Sequence, residues 1–403
     1  MADQTETDQS EIDGSETARV EGDQAGGDPG AVQIQPPERL HATELAFLAA
    51  HDQGPRPPGW RLTPNAVVTF IVGSSGALRL PDPPEGVPAR LEISRKFVGD
   101  IGLIERSVVT LAGSRALMLA GEPGTAKSML SELLAAAICG TSALTVQGSA
   151  GSTEDQLRYG WNYAQLLARG PSPEALVDSP VLTAMRTGRI ARVEEITRCL
   201  PEVQDALVSV LSERRITVPE LGDHNIEARP GFAVIATANL RDRGVTEMSA
   251  ALKRRFNFEA VEPIADPAAE IALVTSRTHR ALADAGVPVE VDEVVVETLV
   301  TTFRDLRAGV SQEGWSVDRP STVLSTAEAV AISGSIALSG AFFGHHRDGI
   351  RQIPGQLLGA VRKDDPEDGA RLLAYWDTVV KRRAEAGQHT WTQLWDLRHI
   401  LEQ

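Results

Sequence analysis

Residues 116–134 read Ala-Leu-Met-Leu-Ala-Gly-Glu-Pro-Gly-Thr-Ala-Lys-Ser-Met-Leu-Ser-Glu-Leu-Leu. The first five are an uncharged apolar run, the pattern of a buried strand. At the far end Met129, Leu130, Leu133 and Leu134 fall on one face at helical spacing. Between them Gly121-Glu-Pro-Gly-Thr-Ala-Lys-Ser128 is close to the loop whose backbone N–H groups converge on phosphate oxygens at a helix N-terminus. In such a loop Lys127 supplies a point charge to the β- and γ-phosphates, and Ser128 a hydroxyl for Mg²⁺. Gly121, Glu122, Pro123, Gly124, Thr125, Ala126, Lys127 and Ser128 are therefore the candidate nucleotide contacts. Ala126 stands where the last glycine is usual. One methyl group is the smallest departure, and the cradle is expected to survive it. Strand, loop and helix in this order imply an α/β nucleotide-binding fold.

A second element follows about 70 residues later, in Gly188-Arg-Ile-Ala-Arg-Val-Glu-Glu-Ile-Thr-Arg198. A β-branched run ending in two acids suits the carboxyl end of a neighbouring strand at a phosphate-hydrolysing site. Glu194 can hold the Mg²⁺ shell and Glu195 can orient and deprotonate the attacking water. Aspartate is usual at the first position; glutamate is one methylene longer, which shifts the metal geometry. Arg192 inside the strand is unexpected. Downstream, Phe232 to Thr237 is an apolar strand ending at Ala238-Asn239, whose amide can position the lytic water. Lys253-Arg-Arg255 closes the next short helix before the strand Phe256 to Val261. Such bases are usually solvated, but they are also where an oligomer sends an arginine into its neighbour's site. Arg319, just before Pro320-Ser321, can reach a γ-phosphate from a separate lid.

Leu144 to Gln147 reads as a second strand. Ser152 or Thr153 is expected to cap a helix. Tyr159, Trp161 and Tyr163 crowd together although aromatics make up only 4% of the chain, as a packing cluster or as a surface that grips a protein. Leu200 to Leu211 is amphipathic and helical. Arg215 to Val218 and His224 to Ala228, around Gly222-Asp223, form a hairpin. From Asp266 the pattern turns helical, over Ala268 to Ala285, Val291 to Leu306 and Thr322 to Ser339. One more helix pair containing Trp376, Trp391 and Trp395 follows Gly344. The His345–His346 doublet has no third ligand at metal spacing and reads as surface.

The chain has 403 residues, 42% apolar and 23% charged, with a net charge of −16. Residues 1–37 carry nine acidic side chains against Arg19 alone, so half the net charge lies there. With almost no large apolar groups this tail is expected to be disordered. Residues 38–90 form an extension with a short helix around Leu40 to Leu48, a second apolar segment from Ala66 to Val72, and proline clusters at 55–58 and 81–88. The core is expected over 91–262, with Val98-Gly99-Asp100-Ile101 lining an adenine pocket, a helical lid over 263–344, and a C-terminal helical extension over 345–403. Two cysteines, Cys139 and Cys199, make neither a disulfide framework nor a zinc site. The acidic N-terminus is not expected to be a signal peptide. The uncharged run Ala329 to Gly344, 16 residues, falls short of a membrane span and reads as a buried helix. A cytoplasmic protein is expected.

Taken in order, Gly121 to Ser128, Val193-Glu-Glu-Ile-Thr-Arg198, Ala236-Thr-Ala-Asn239 and Leu252-Lys-Arg-Arg-Phe256 resemble the motifs of AAA+ ATPases of the MoxR type. The resemblance covers roughly residues 91–340. It implies an αβα core with a five-stranded parallel sheet, a pre-sensor β-hairpin insertion, and an all-helical lid. By resemblance Lys127 and Ser128 serve the first nucleotide motif, and Glu194 and Glu195 the second. Asn239 would be sensor 1, Arg255 the arginine finger with Arg254 as the runner-up, and Arg319 sensor 2. The family implies ATP and Mg²⁺ as cofactors and a ring, usually a hexamer, with ATP at subunit interfaces. Its members act as chaperone-like remodelers of protein clients, in complex maturation or in metal or cofactor insertion. They often work with a protein carrying a von Willebrand factor A domain.

Two other classes compete. A helicase-like nucleic-acid motor is opposed by the acidic balance, because duplex affinity depends on pairing Lys and Arg with phosphates. A nucleotide-dependent switch with little hydrolysis would follow if Glu194 and Arg192 marked a decayed site.

Overall fold

The computed structural model describes residues 35–222, 224–239, 246–287, 289–344, 349–363 and 365–402. The acidic tail expected to be disordered lies, over residues 1–34, outside the described residues, as do Asp223 of the hairpin turn and the His345–His346 doublet.

After one helical turn, Pro37–Leu40, the extension contains α1 (Ala42–His51) and α2 (Pro64–Val72), the latter capped by the Thr63 hydroxyl accepting from Ala66 N. It is no loose linker. Phe47, Leu48, Trp60, Leu62, Phe70 and Ile71 are buried in one cluster with Leu117 and Leu119 of the sheet and Leu130 of the helix after the phosphate loop. Glu38 adds a polar tie, accepting from Ser142 N at 3.0 Å and Ser142 Oγ at 2.9 Å.

Next come α3 (Ile101–Ala112), β1 (Ala116–Gly121), α4 (Lys127–Cys139) and β2 (Thr145–Gln147). The helix expected after Ser152 does not form. Ser152 Oγ accepts instead from Ser149 N at 3.0 Å, Thr153 caps nothing with its side chain, and only a 3₁₀ turn, Glu154–Gln156, follows. The chain then enters a small hairpin of β3 (Tyr159–Trp161) and β4 (Leu176–Asp178), with α5 (Tyr163–Arg169) between its strands. Tyr159 and Trp161, two residues apart on one strand face, pack edge to face at 6.0 Å. Tyr163 leaves that cluster and is 68% exposed on α5, beside Leu167 at 88%.

After α6 (Pro180–Thr187) the order is β5 (Ile190–Glu194), α7 (Pro201–Glu213), the hairpin β6 (Arg215–Val218) with β7 (His224–Glu227), β8 (Ala233–Asn239), α8 (Ala250–Lys253) and β9 (Phe256–Ala260). The expected five-stranded parallel sheet is present, in the order β9-β1-β8-β5-β2. The central strands β1 and β8 are buried along nearly their whole length because helices cover both faces. Register sets Asn239 beside Gly121 and Gln147 beside Glu194. The ends of β1, β8 and β5 therefore meet at one edge, where open parallel sheets bind ligands.

The helical region comprises α9 (Pro267–Asp284), α10 (Glu293–Ala308), α11 (Thr326–Phe343), α12 (Gly349–Val361), α13 (Asp368–Tyr375), α14 (Lys381–Glu385) and α15 (His389–Asp396). α11 starts four residues later than its apolar pattern suggests, because a capping box of Ser325 and Glu328 sets its first turn. The run expected as a buried helix and its end is buried along one face. Ala329, Ile332, Ser333, Ile336 and Gly340 face α9, α10 and α12, whereas Phe342 and Phe343 are exposed. Among the described residues α11 is the one helix long and apolar enough to cross a membrane by length and composition.

Beyond residue 344 there is more than the expected helix pair. α13 runs into α14 through a π turn, Trp376–Val380, that buries Trp376 completely with its Nε1 donating to Leu394 O at 3.0 Å. Residues on both sides of 344, from Val274 to Leu401, share one hydrophobic cluster.

Candidate nucleotide site

The phosphate loop keeps its shape despite Ala126. That residue sits at φ 65°, a left-handed conformation that costs an alanine about 1–2 kcal/mol and a glycine little. The loop accepts this strain at the point where α4 begins. Lys127 is buried, and its Nζ donates to the carbonyls of Glu122 at 2.6 Å and Gly121 at 3.1 Å.

Glu194 ends β5 with its side chain 5% exposed, and four groups donate to its carboxylate. Ser128 Oγ and Thr237 Oγ1 reach Oε2 at 2.7 and 2.8 Å; Ser131 Oγ and Arg192 Nη2 reach Oε1 at 2.6 and 2.7 Å. Burial opposes the charged form, but the Ser131 hydroxyl, the Arg192 guanidinium and the Ser128 and Thr237 hydroxyls outweigh it and hold the carboxyl below its ordinary range. The donor set suits Mg²⁺: a charged carboxylate oxygen meets a hydroxyl on the phosphate loop. Among the described residues no cluster of three or more His, Cys, Asp or Glu side chains forms a separate metal cage.

Glu195 follows in a left-handed conformation, φ 52°. Its N–H donates to Thr237 Oγ1 at 2.9 Å, so one threonine on β8 braces both acids. Strain of this kind persists only where the surroundings over-determine it, as the Thr237 bond does here. Arg198 Nε lies 2.5 Å from Glu195 Oε2.

Glu195, Thr237 and Asn239 line, with residues 122–129, a cavity of about 520 Å³. Lys96, Phe97 and Val98 border it, as do Leu273 and Arg277 of α9, Arg307 of α10 and Ser325 to Ala327 of the α11 start. Of the stretch expected around an adenine, Val98 is in the wall, whereas Asp100 caps α3, accepting from Gly102 N and Leu103 N. The volume is of the size that takes a small ligand.

Two candidates lie elsewhere. Arg319 borders a second cavity, of about 580 Å³, and its guanidinium donates to Ala308 O. Between Arg319 and the α11 start, Asp368 holds the loop by Ser321 and Thr322. Arg307 and Arg277, from the helical region, are the cations in the wall, and sequence reasoning missed both because neither stands in a motif. Arg307 is aimed by the Glu270 carboxylate at 3.1 and 3.0 Å. Arg255 lies at the opposite end of the sheet, where Ala116 N donates to its carbonyl, and is remote from its own chain's cavity.

Residues 116–256 match the AAA domain of the dynein-related subfamily, and residues 268–402 the YehL-like AAA+ ATPase C-terminal domain. YehL of Escherichia coli K12 is 47% identical over 372 residues, 92% of this chain and 98% of that protein. SH1500 of Staphylococcus haemolyticus is 31% identical over 200 residues, 49% of this chain and 70% of that protein. Among solved structures, RuvB of Thermotoga maritima, a Holliday junction branch migration motor, aligns with a TM-score of 0.42 at 15% identity, covering 72% of this chain and 82% of that one. NtrX of Brucella abortus, solved with ADP, aligns at 0.40 and 13%, covering 61% and 51%. With both halves matched and near-complete coverage of YehL, the chain belongs to the YehL-like family of AAA+ ATPases, nucleotide-binding proteins with the αβα core described above.

Proposed function

We propose that the protein binds Mg·ATP in the 520 Å³ cavity and hydrolyses it to ADP and phosphate to remodel a protein client. The observation that carries the reading is the convergence of Lys127, Ser128, Glu194, Glu195 and Asn239 at one sheet edge. Gly121 to Ser128 hold the phosphates, Ser128 and Glu194 the Mg²⁺, Glu195 deprotonates water, and Asn239 orients it. The MoxR-like motif order supports a ring, with an arginine from the 254–255 pair completing the neighbour's site. Tyr163 and Leu167, one turn apart on the exposed α5, are apolar surface for a client. A von Willebrand factor A domain protein is the partner the motif order favours.

Phosphate release from Mg·ATP, followed across protein concentration, tests this. Specific activity should rise as interfaces form and vanish in Lys127→Ala. Turnover independent of concentration would remove the ring, and turnover in Lys127→Ala would remove the site.

A second reading, a nucleotide switch with slow hydrolysis, is favoured by the Glu195–Arg198 ion pair, which engages the proposed base. Arg198→Ala should then speed turnover; in the first reading it should not.

A further inference from the structure

Arg192 lies inside β5 with its side chain only 6% exposed, and nothing in hydrolysis requires a cation there. Its guanidinium is nonetheless fully used. Nε donates to Ser131 Oγ at 2.9 Å, Nη1 to Ser142 O at 2.8 Å, and Nη2 to Glu194 Oε1 at 2.7 Å, with Glu132 Oε1 at 3.3 Å and Ser128 O at 3.5 Å beyond. The two oxygens of Glu194 thus have separate duties. Oε1 is committed to Arg192 and Ser131, and Oε2 alone meets Ser128 and Thr237.

We infer that Arg192 is a positioning residue for the metal end of the site, and that Arg192 and Glu194 work as a matched pair in place of a shorter acid. The inference rests on reading Ser128 and Glu194 as the Mg²⁺ end of an ATP site. A glutamate has one more rotatable bond than an aspartate, and in a strand of small apolar residues its carboxylate could turn away from the loop. The rigid, bidentate-capable fork of Arg192 removes that freedom by holding one oxygen. The dependence runs both ways, because a buried guanidinium without its acid is an uncompensated charge. Shortening the acid to the residue more usual at this position therefore damages the site. It withdraws the carboxylate by ~1.5 Å, one C–C bond, from both Arg192 and Ser128.

The test is the tightening of a fluorescent ATP analogue by Mg²⁺, measured at equilibrium on the full chain carrying Glu195→Gln to stop turnover. Arg192→Met and Glu194→Asp are each expected to lower that Mg²⁺-dependent tightening by about tenfold or more, the usual cost of losing a partner behind a metal ligand. Metal-free binding by Arg192→Met should stay within about twofold, since Arg192 does not touch the phosphate loop's N–H groups. The double variant should lose less than the product of the two single losses, because each single change strands the other member. An unchanged Mg²⁺ effect in either single variant, or losses that simply multiply, would overturn the pairing. Thermal melting without nucleotide reports folding. If Arg192→Met does not fold, Arg192→Lys keeps the charge but cannot span Ser131, Ser142 and Glu194 together, and its Mg²⁺ response must fall by the same order or the inference is wrong. Absence of ATP binding, or of any Mg²⁺ effect, in the parent overturns the proposed function itself and this inference with it.

Discussion

Ser325, which caps α11, rests directly on Gly124 of the phosphate loop: a β-carbon built on Gly124 would come within 2.1 Å of Ser325 Cβ. The helical region therefore meets the phosphate loop directly, and the space for that contact exists because residue 124 has no side chain. Gly124 also sits at φ 76°, so a side chain there is opposed twice.

Gly124→Ala should consequently separate the α11 start from the loop. Nucleotide affinity is expected to fall at least about tenfold, and stability by about 1–3 kcal/mol from backbone strain. Titration with a fluorescent nucleotide and a thermal melt read the two effects. Ser325→Gly in the same background should recover affinity but not stability, since it relieves the collision and leaves the φ.

The loop that presents Ser325 is itself held by Asp368, at the start of α13. Its carboxylate accepts from Ser321 N at 2.8 Å, Ser321 Oγ at 2.7 Å and Thr322 N at 3.0 Å, and it pairs with Arg371. Burial pushes its pKa up, but those backbone and hydroxyl donors and Arg371 prevail and bring it down to about 2. A carboxyl lowered on folding adds stability that is complete above its unfolded value, near 4, and disappears as pH falls through 2. Asp368→Asn should cost about 2 kcal/mol at pH 7 and flatten the stability profile between pH 4 and 2. Chemical denaturation at a series of pH values checks both. A parallel acid limb in wild type and variant would refute the assignment.

Much of this arrangement could be read from the chain because it is local. Residues 116–134 carry strand, loop and helix within one window, and β5, α7, the β6–β7 hairpin and β8 each declare themselves by period and turn residues. What escaped depends on partners distant in sequence. Arg192 looks misplaced until Ser131, Ser142 and Glu194 surround it. The helix expected after Ser152 loses to a hairpin whose second strand starts at Leu176, beyond the reach of a capping signal. Pro320-Ser321 reads as a helix start, but Ser321 and Thr322 bind Asp368, 47 residues from Ser321, and the helix begins at Thr326. The 38–90 extension hid its role because its contribution is burial against the sheet, which has no motif.

Ala126 offers a measurement in the opposite direction from Gly124. At φ 65° its left-handed strain of about 1–2 kcal/mol is partly offset by the lower chain entropy of alanine in the unfolded state. Ala126→Gly is therefore expected to gain about 0.5–1 kcal/mol without a change in nucleotide affinity, because no polar contact is added or removed. A destabilised variant would mean that the methyl packs well enough against the hydrophobic cluster that includes α2 and α4 to outweigh the strain.

Arg254 and Arg255 separate on their contacts. Arg255 is occupied within its own chain, Nε donating to Ser212 Oγ at 2.8 Å and Nη1 to Ala251 O at 2.6 Å, so it ties α8 to α7. Arg254, at the end of α8, is exposed. A cation offered to a neighbouring subunit must be able to leave its own surface, so under the proposed ring these contacts favour Arg254 over Arg255. Under the proposed function Arg254→Ala should lower turnover at least about a hundredfold while leaving ATP binding by each subunit intact. Arg255→Ala should instead lower the melting temperature, and lose activity only in step with folding. Mixing Arg254→Ala with Lys127→Ala subunits distinguishes the cases further. If the arginine acts across an interface, a Lys127→Ala neighbour can supply Arg254 to an intact site and mixed assemblies regain activity; if it acts within one chain, no mixture does.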